Sequence, residues 1–227
     1  LIKRMSVMTG KRRKIIALMV VIITIAGCLA FLYIGHYGKQ SDKNTGSSSQ
    51  DIKIYHSNVD KDGDGIDDQT DILQSTKDYI ATRPKYKSKY YQGGYPDDGY
   101  GVCTDVVAAA LKGAGYDLRD LVNEDIQEHP ENYDIASPDP NIDYRRVKNL
   151  KVWFANNTIS CTLDLKDVNA WQGGDIVIFK NHIGMVSDRR NKDGVPYVIH
   201  HYSSRQKNYE QDILEKRDDI AGHYRMS

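Results

Sequence analysis

Residues 100–118, YGVCTDVVAAALKGAGYDL, decide how the rest of the chain is read. Val106, Val107, Ala110 and Leu111 recur at helical spacing, the alanines among them favour helix, and Gly113 and Gly115 offer a stop. The expected helix therefore has one apolar face and begins at Cys103. A helix N-terminus carries partial positive charge, which favours thiolate over thiol and lowers a cysteine pKa from about 8.5 toward 3.5–7.5. That placement makes Cys103 a candidate nucleophile. A buried structural cysteine is the other reading this stretch allows, because cysteines are common in cores.

The C-terminal third supplies what a thiol nucleophile needs. GGDIVIFK at 173–180, HIGMVSD at 182–188 and PYVIHHYSS at 196–204 read as three strands, with turn residues at 189–194 between the last two. Short connections make an antiparallel meander. His182 opens one strand and His200 lies on its neighbour, so the imidazoles stand across a ladder from each other. Alternate strand residues face opposite sides, so only one of His200 and His201 faces His182. A cysteine at a helix start with a histidine pair on the adjoining sheet is the arrangement thiolate catalysis uses: one imidazole takes the proton and a further polar group orients it.

Between these regions the sequence is less explicit. Residues 143–156 fit an amphipathic helix, residues 158–165 read as a strand carrying Cys161, and residues 83–99, dense in Tyr, Gly and Pro, read as a loop leading to Cys103. Cys103 and Cys161 are either a disulfide pair or two free thiols. Ahead of them, DKDGDGIDDQTD at 60–71 spaces Asp60, Asp62, Asp64 and Gly65 as an EF-hand-like calcium loop does at positions 1, 3, 5 and 6. Asp71 takes position 12, where a longer Glu is usual. The alternative is an Asp/Gly turn leading to an N-cap at Asp67 or Asp68 for a helix over 70–82.

The N-terminus is of another kind. Residues 15–34 form a 20-residue run without a charge, long enough to cross a hydrocarbon core of roughly 30 Å. The KRRK cluster at 11–14 should stay cytoplasmic, which places the remainder outside the cell membrane as a single-pass protein. Residues 1–37 are thus the basic segment and anchor, 38–50 a polar linker, and 51–227 the exported domain. Ile25–Cys28, IAGC, resembles a bacterial lipobox, so lipidation at Cys28 is the alternative tether. The 31 Lys and Arg balance 31 Asp and Glu, but six basic residues lie within residues 1–14 and no acid precedes Asp42, leaving 25 basic against 31 acidic residues after residue 14. The absence of a basic stripe there argues against nucleic acid as a partner.

At this point a family resemblance enters. VCTDVVAAALKGAGYDL at 102–118 resembles the nucleophile helix of NlpC-type papain-like cell-wall peptidases. GGDIVIFKNHIGMVSD resembles their Gly-Asp and His-x-Gly strands, and YVIHHYSS their third-residue strand. More narrowly, GGYPDDGYGVCTDV, HIGMVSD and the closing GHYR resemble a bacterial family catalogued as domain of unknown function 1287, over most of residues 60–225. The resemblance implies an α+β papain-like fold with the nucleophile helix packed on an antiparallel sheet. It makes Cys103 the nucleophile, His182 the base and His200 the orienting group. It implies hydrolysis of peptide or amide bonds in peptidoglycan stem peptides, with no cofactor needed for catalysis and calcium at most structural. Better-known members have Ser-Gly after the cysteine where this chain has Thr104 and Asp105, so Tyr100, Thr104 and Asp105 are the candidate substrate contacts of a different groove. The long gap between Cys103 and His182 places an insertion at about 114–170. His223 and Arg225 are structural or substrate contacts. A non-catalytic wall-binding scaffold, or an acyl or peptidyl transferase using the same thiolate, are the competing functions.

Overall fold

The apolar face expected behind Cys103 is the spine of the molecule. The computed structural model describes residues 52–226, and the anchor, the linker and Cys28 lie outside the described residues. Helix α1 (Asp68–Ala81) leads to a two-residue strand β1 (Lys85–Tyr86), which pairs in parallel with β2 (Tyr100–Gly101). Helix α2 (Cys103–Gly113) follows at once, then α3 (Leu118–Glu128) and α4 (Val147–Asn157). The remaining strands are β3 (Ile159–Ser160), β4 (Ile176–Phe179), β5 (His182–Arg190), β6 (Pro196–Ile199), β7 (Glu210–Gln211) and β8 (Ile220–Arg225). Among the described residues this is an α+β architecture: four α-helices and a six-stranded antiparallel sheet of order β3-β8-β4-β5-β6-β7. Among the described residues no helix is long and apolar enough to cross a membrane.

The expected meander forms β4, β5 and β6. Strand β4, IVIF, is buried on both sides, as a central strand must be. Ile176 and Ile178 join Ile183, Met185 and Ile199 beneath the helices, where Val106, Val107, Ala110 and Leu111 of α2 are fully buried. Val177 and Phe179 point the other way, into a second core with Trp171, Val186, Val198 and Leu214. Helix α1 starts where its cap allows: Asp67 accepts from the Thr70 amide at 3.3 Å and from its hydroxyl at 2.6 Å.

Several expectations change. The helix expected over 143–156 is split into a 3-10 turn (Asp143–Arg145) and α4, with Arg146 extended between them. The break has a cause: Arg145 turns inward to Asp105, and Asn149 donates to the Asp143 carbonyl at 3.0 Å. The strand expected over 158–165 is only β3, and Cys161 and Cys103 are both free thiols, so no disulfide forms. Strand β8 enters between β3 and β4, and α3 lies in the span read as an insertion. Its buried stripe Leu118, Val122 and Ile126, behind an Asp117 cap, is a helical signal in that span.

That span also delivers the ion pair that fixes the start of α2. Arg145 donates from Nε and Nη2 to the two oxygens of Asp105 at 2.7 and 2.8 Å, and both side chains are 2% exposed. The same carboxylate accepts from the Val102 amide at 2.8 Å, capping the helix from within. Removing one partner of such a pair leaves a buried charge uncompensated. Arg145→Ala is expected to cost about 3–5 kcal/mol, read as a lower urea midpoint, whereas an Asp105→Leu/Arg145→Met double variant should recover much of that loss.

Candidate active site

Cys103 is the first residue of α2 and remains partly exposed. The sulfur meets the sheet where two strands part. Residues 182–184 of β5 pair with β4, but the β5–β6 ladder begins only at Met185 opposite Ile199. In that gap the Ile183 backbone N–H is directed to the thiol, joined by those of Thr104 and Cys103 at the helix start. These donors favour thiolate, but burial outweighs them and Asp105 adds a negative charge, so the thiol is pushed up to about 11. The lowered pKa expected from the helix N-terminus is therefore not what the folded chain provides.

His182 stands beside that gap. Its Nε2 lies 2.8 Å from Nδ1 of His200, whose Nε2 lies 2.9 Å from Oε1 of Gln211. Proton bookkeeping sets the tautomers. An amide oxygen only accepts, so His200 carries its proton on Nε2 and presents a lone pair at Nδ1. His182 must then donate from Nε2, which leaves its Nδ1 an unprotonated base making no hydrogen bond within the described residues. Both rings are nearly buried. Burial, then the neighbouring His200 and Arg217, push His182 down to about 3. Burial likewise lowers His200 to about 4. The thiol and both imidazoles are therefore neutral at rest.

Local sequence explains the approach of the two rings. Continuing the β5–β6 register places Gly184 opposite His200, so His182 and His200 meet diagonally across it. A Cβ at Gly184 would fall 2.7 Å from Val198 Cγ1 and 3.1 Å from His200 Cβ, so only glycine admits this crossing. Phe179 stacks on His182 at 6.0 Å and the exposed Tyr202 meets it edge-on at 5.4 Å. Tyr86 lies near enough to Cys103 and Tyr202 to feel the charge of each, though its own upward shift comes first from burial. Tyr86 and Tyr202 thus flank the thiol and the imidazole.

The other candidates take different places. Only His200 meets His182, while His201 packs edge-on between Tyr86 and Tyr209 at 5.2 and 5.1 Å. Of the three groove candidates, Tyr100 is partly exposed with the Lys89 ammonium 4.3 Å above its ring. Thr104 and Asp105 are buried beneath the site, and Asp105 is committed to Arg145. His223 and Arg225 are structural: both donate to the fully buried Asp175, at 2.8 Å from His223 and 2.7 Å from Arg225. Asp60, Asp62 and Asp64 gather at the surface, and Asp71 lies buried outside that trio. Gln211, Gly184 and Arg145 were missed by sequence reasoning, because each acts through strand register or a long-range pair that no local pattern announces.

A family model described as "Domain of unknown function (DUF1287)" matches residues 73–226, a span holding Cys103, His182, His200 and Gln211. The chain is also similar to "Uncharacterized protein YijF" of Escherichia coli (strain K12), with 38% identity over 151 residues, 63% of this chain and 72% of the relative. No solved structure matches.

Two outcomes follow from the shifted groups. Alkylation of Cys103 by iodoacetamide should quicken about tenfold per pH unit from pH 6 to 9 instead of levelling near neutrality, as mass spectrometry of the modified peptide would show. His182 and His200 titrate lower folded than the 6.5 of a free imidazole, so their contribution to stability is complete above pH 6.5 and is lost as pH falls toward 4 and 3. A His200→Gln variant should show a smaller fall in urea midpoint between pH 7 and 4 than the parent.

Proposed function

The chain belongs to the DUF1287 family, and from that premise we propose that it is a cysteine hydrolase of the papain-like, NlpC-type class, cleaving peptide or amide bonds in cell-wall peptidoglycan. The observation that carries the reading is the His182–His200–Gln211 relay, which leaves Nδ1 of His182 without a hydrogen bond among the described residues, on the strand whose Ile183 amide is directed to the Cys103 sulfur. Stem peptides as substrate rest on the family resemblance and on the apolar run at 15–34, which would tether the domain outside the membrane.

The chemistry starts from a neutral pair. As the sulfur attacks the substrate carbonyl carbon, the Cys103 proton passes to Nδ1 of His182, and the imidazolium keeps its Nε2–H donated to His200. The oxyanion is met by N–H groups at the start of α2. Collapse breaks the C–N bond, and the amine leaves with the proton from Nδ1. A thioester remains. Water then gives one proton to Nδ1 and adds to the acyl carbon, and the departing sulfur takes that proton back, restoring the thiol and releasing a carboxylic acid, which loses its remaining proton to solvent. Tyr86 and Tyr202 would bracket the peptide.

A second reading has one observation in its favour. A thiol held near 11 is inert at rest, as suits a wall-binding module without turnover.

Purified full chain in detergent should release peptide fragments from peptidoglycan sacculi, identified by mass spectrometry. Cys103→Ala should abolish release and His182→Ala reduce kcat about 10²–10⁴-fold. Unchanged release by Cys103→Ala would end the hydrolase reading, and binding of fragments with no product from the parent would establish the second. With His182 at about 3 and Cys103 at about 11, kcat/KM should be flat from about pH 5 to 9 and fall on either side.

A further inference from the structure

Residues 60–71 lead into α1, and Asp60, Asp62 and Asp64 each offer one carboxylate oxygen within 4.8 Å of the others. An exposed acidic trio alone is a solvated turn. Asp71 is the independent observation. It sits in the first turn of α1 at 8% exposure, and its Oδ2 is shielded from solvent with no hydrogen-bond partner. The other buried carboxylates among the described residues are all answered. Asp105 has Arg145, Asp175 has His223 and Arg225, Asp68 has the Lys61 amide and the Tyr116 hydroxyl, and Asp143 has the Asp139 amide. Asp71 holds the twelfth place of the loop whose first, third and fifth places are Asp60, Asp62 and Asp64, and the charged groups that act on it are those three and Asp68, all negative. A carboxyl kept dry among carboxylates is neutralised by a proton or offset by a cation, and the surrounding acids supply the ligands a cation needs.

We infer that residues 60–71 bind one calcium ion, held by Asp60, Asp62 and Asp64, with the buried carboxylate of Asp71 closing the site from α1. The donors are all carboxylate oxygens, the set a hard divalent cation takes, with no His or Cys to suit a softer metal. Calcium accepts irregular coordination from a flexible loop, whereas magnesium demands a near-ideal octahedron. Gly65, at φ +95°, supplies the turn that brings the acids together. Asp71 is one methylene shorter than the usual Glu and supplies less of the shell, which puts the affinity at the weak end, a Kd of about 10⁻⁴–10⁻³ M.

The site is separate from Cys103 and does not rest on the hydrolase reading. Its consequence is mechanical. Lys61 donates its amide to Asp68 at 2.7 Å, its ammonium lies 5.8 Å from the Tyr116 ring, and Gly115 packs against Asp62. The ion would pin the loop leading from the N-terminal segment to the turn between α2 and α3.

Calorimetric titration of chelator-stripped full chain in detergent with CaCl2, alongside thermal melting, tests the inference. One site in that affinity range and a Tm that rises with CaCl2 are expected. Asp71→Asn should weaken binding about tenfold or more while raising the Tm of the metal-free chain, since it removes the repelled charge. Asp71→Glu should tighten binding, and it carries the test with the exposed Asp62→Asn if Asp71→Asn fails to fold. Absence of heat and of any Tm change at about 10 mM CaCl2, or parental affinity in both Asp71 variants, would overturn the site. An equal response to MgCl2 would overturn its assignment to calcium.

Discussion

The buried pair between Asp105 and Arg145 is the constraint on which the candidate site depends. Asp105 holds the first turn of α2 in two ways, by accepting the Val102 amide and by binding a guanidinium that arrives from forty residues downstream. Cys103 stands two residues before that carboxylate, so its sulfur goes where the pair lets the helix begin. The span expected to be an insertion is therefore integral to the site: it carries Arg145, and the chain breaks its helix at Arg146 to present it. An ion pair this deep is held by geometry more than by net energy, because desolvating two charges offsets most of their attraction.

Burial governs the chemistry as strongly as it governs the fold. The helix N-terminus offers two N–H groups to the sulfur and Ile183 of β5 a third, yet the thiol is raised, because a dry cleft penalises the anion more than those dipoles favour it. The same dryness lowers both imidazoles. A thiol and a base that are both neutral at rest form no standing ion pair, and proton transfer waits for substrate to arrive. Gln211 matters in this setting because an amide oxygen at the end of the relay decides which nitrogen of His182 is free to act.

Much of the scaffold was legible in the sequence for reasons that can be named. The 3.6-residue recurrence of Val106, Val107, Ala110 and Leu111 corresponds to a helix face that is fully buried, and the apolar runs at 176–179 and 183–186 are strands. Strand β8 and helix α3 were less visible. The first reads IAGHYR, with small and polar residues where a strand signal needs branched ones. The second mixes its three buried residues with seven polar ones, and cap and spacing carry its whole signal.

By itself the sequence determined the elements that depend on neighbours along the chain: the helix that starts at Cys103, the meander of β4 to β6, the acidic loop spacing, and the rule that one of two adjacent histidines faces His182. Only the tertiary structure decided that His200 is that histidine, that Gln211 sets its proton, that Asp105 lies under the thiol and not in a groove, and that Asp71 is buried without a partner. The physical reason is the range of the forces. Periodicity and capping act within a few residues, whereas desolvation, strand register and charge pairing depend on which distant segments pack together.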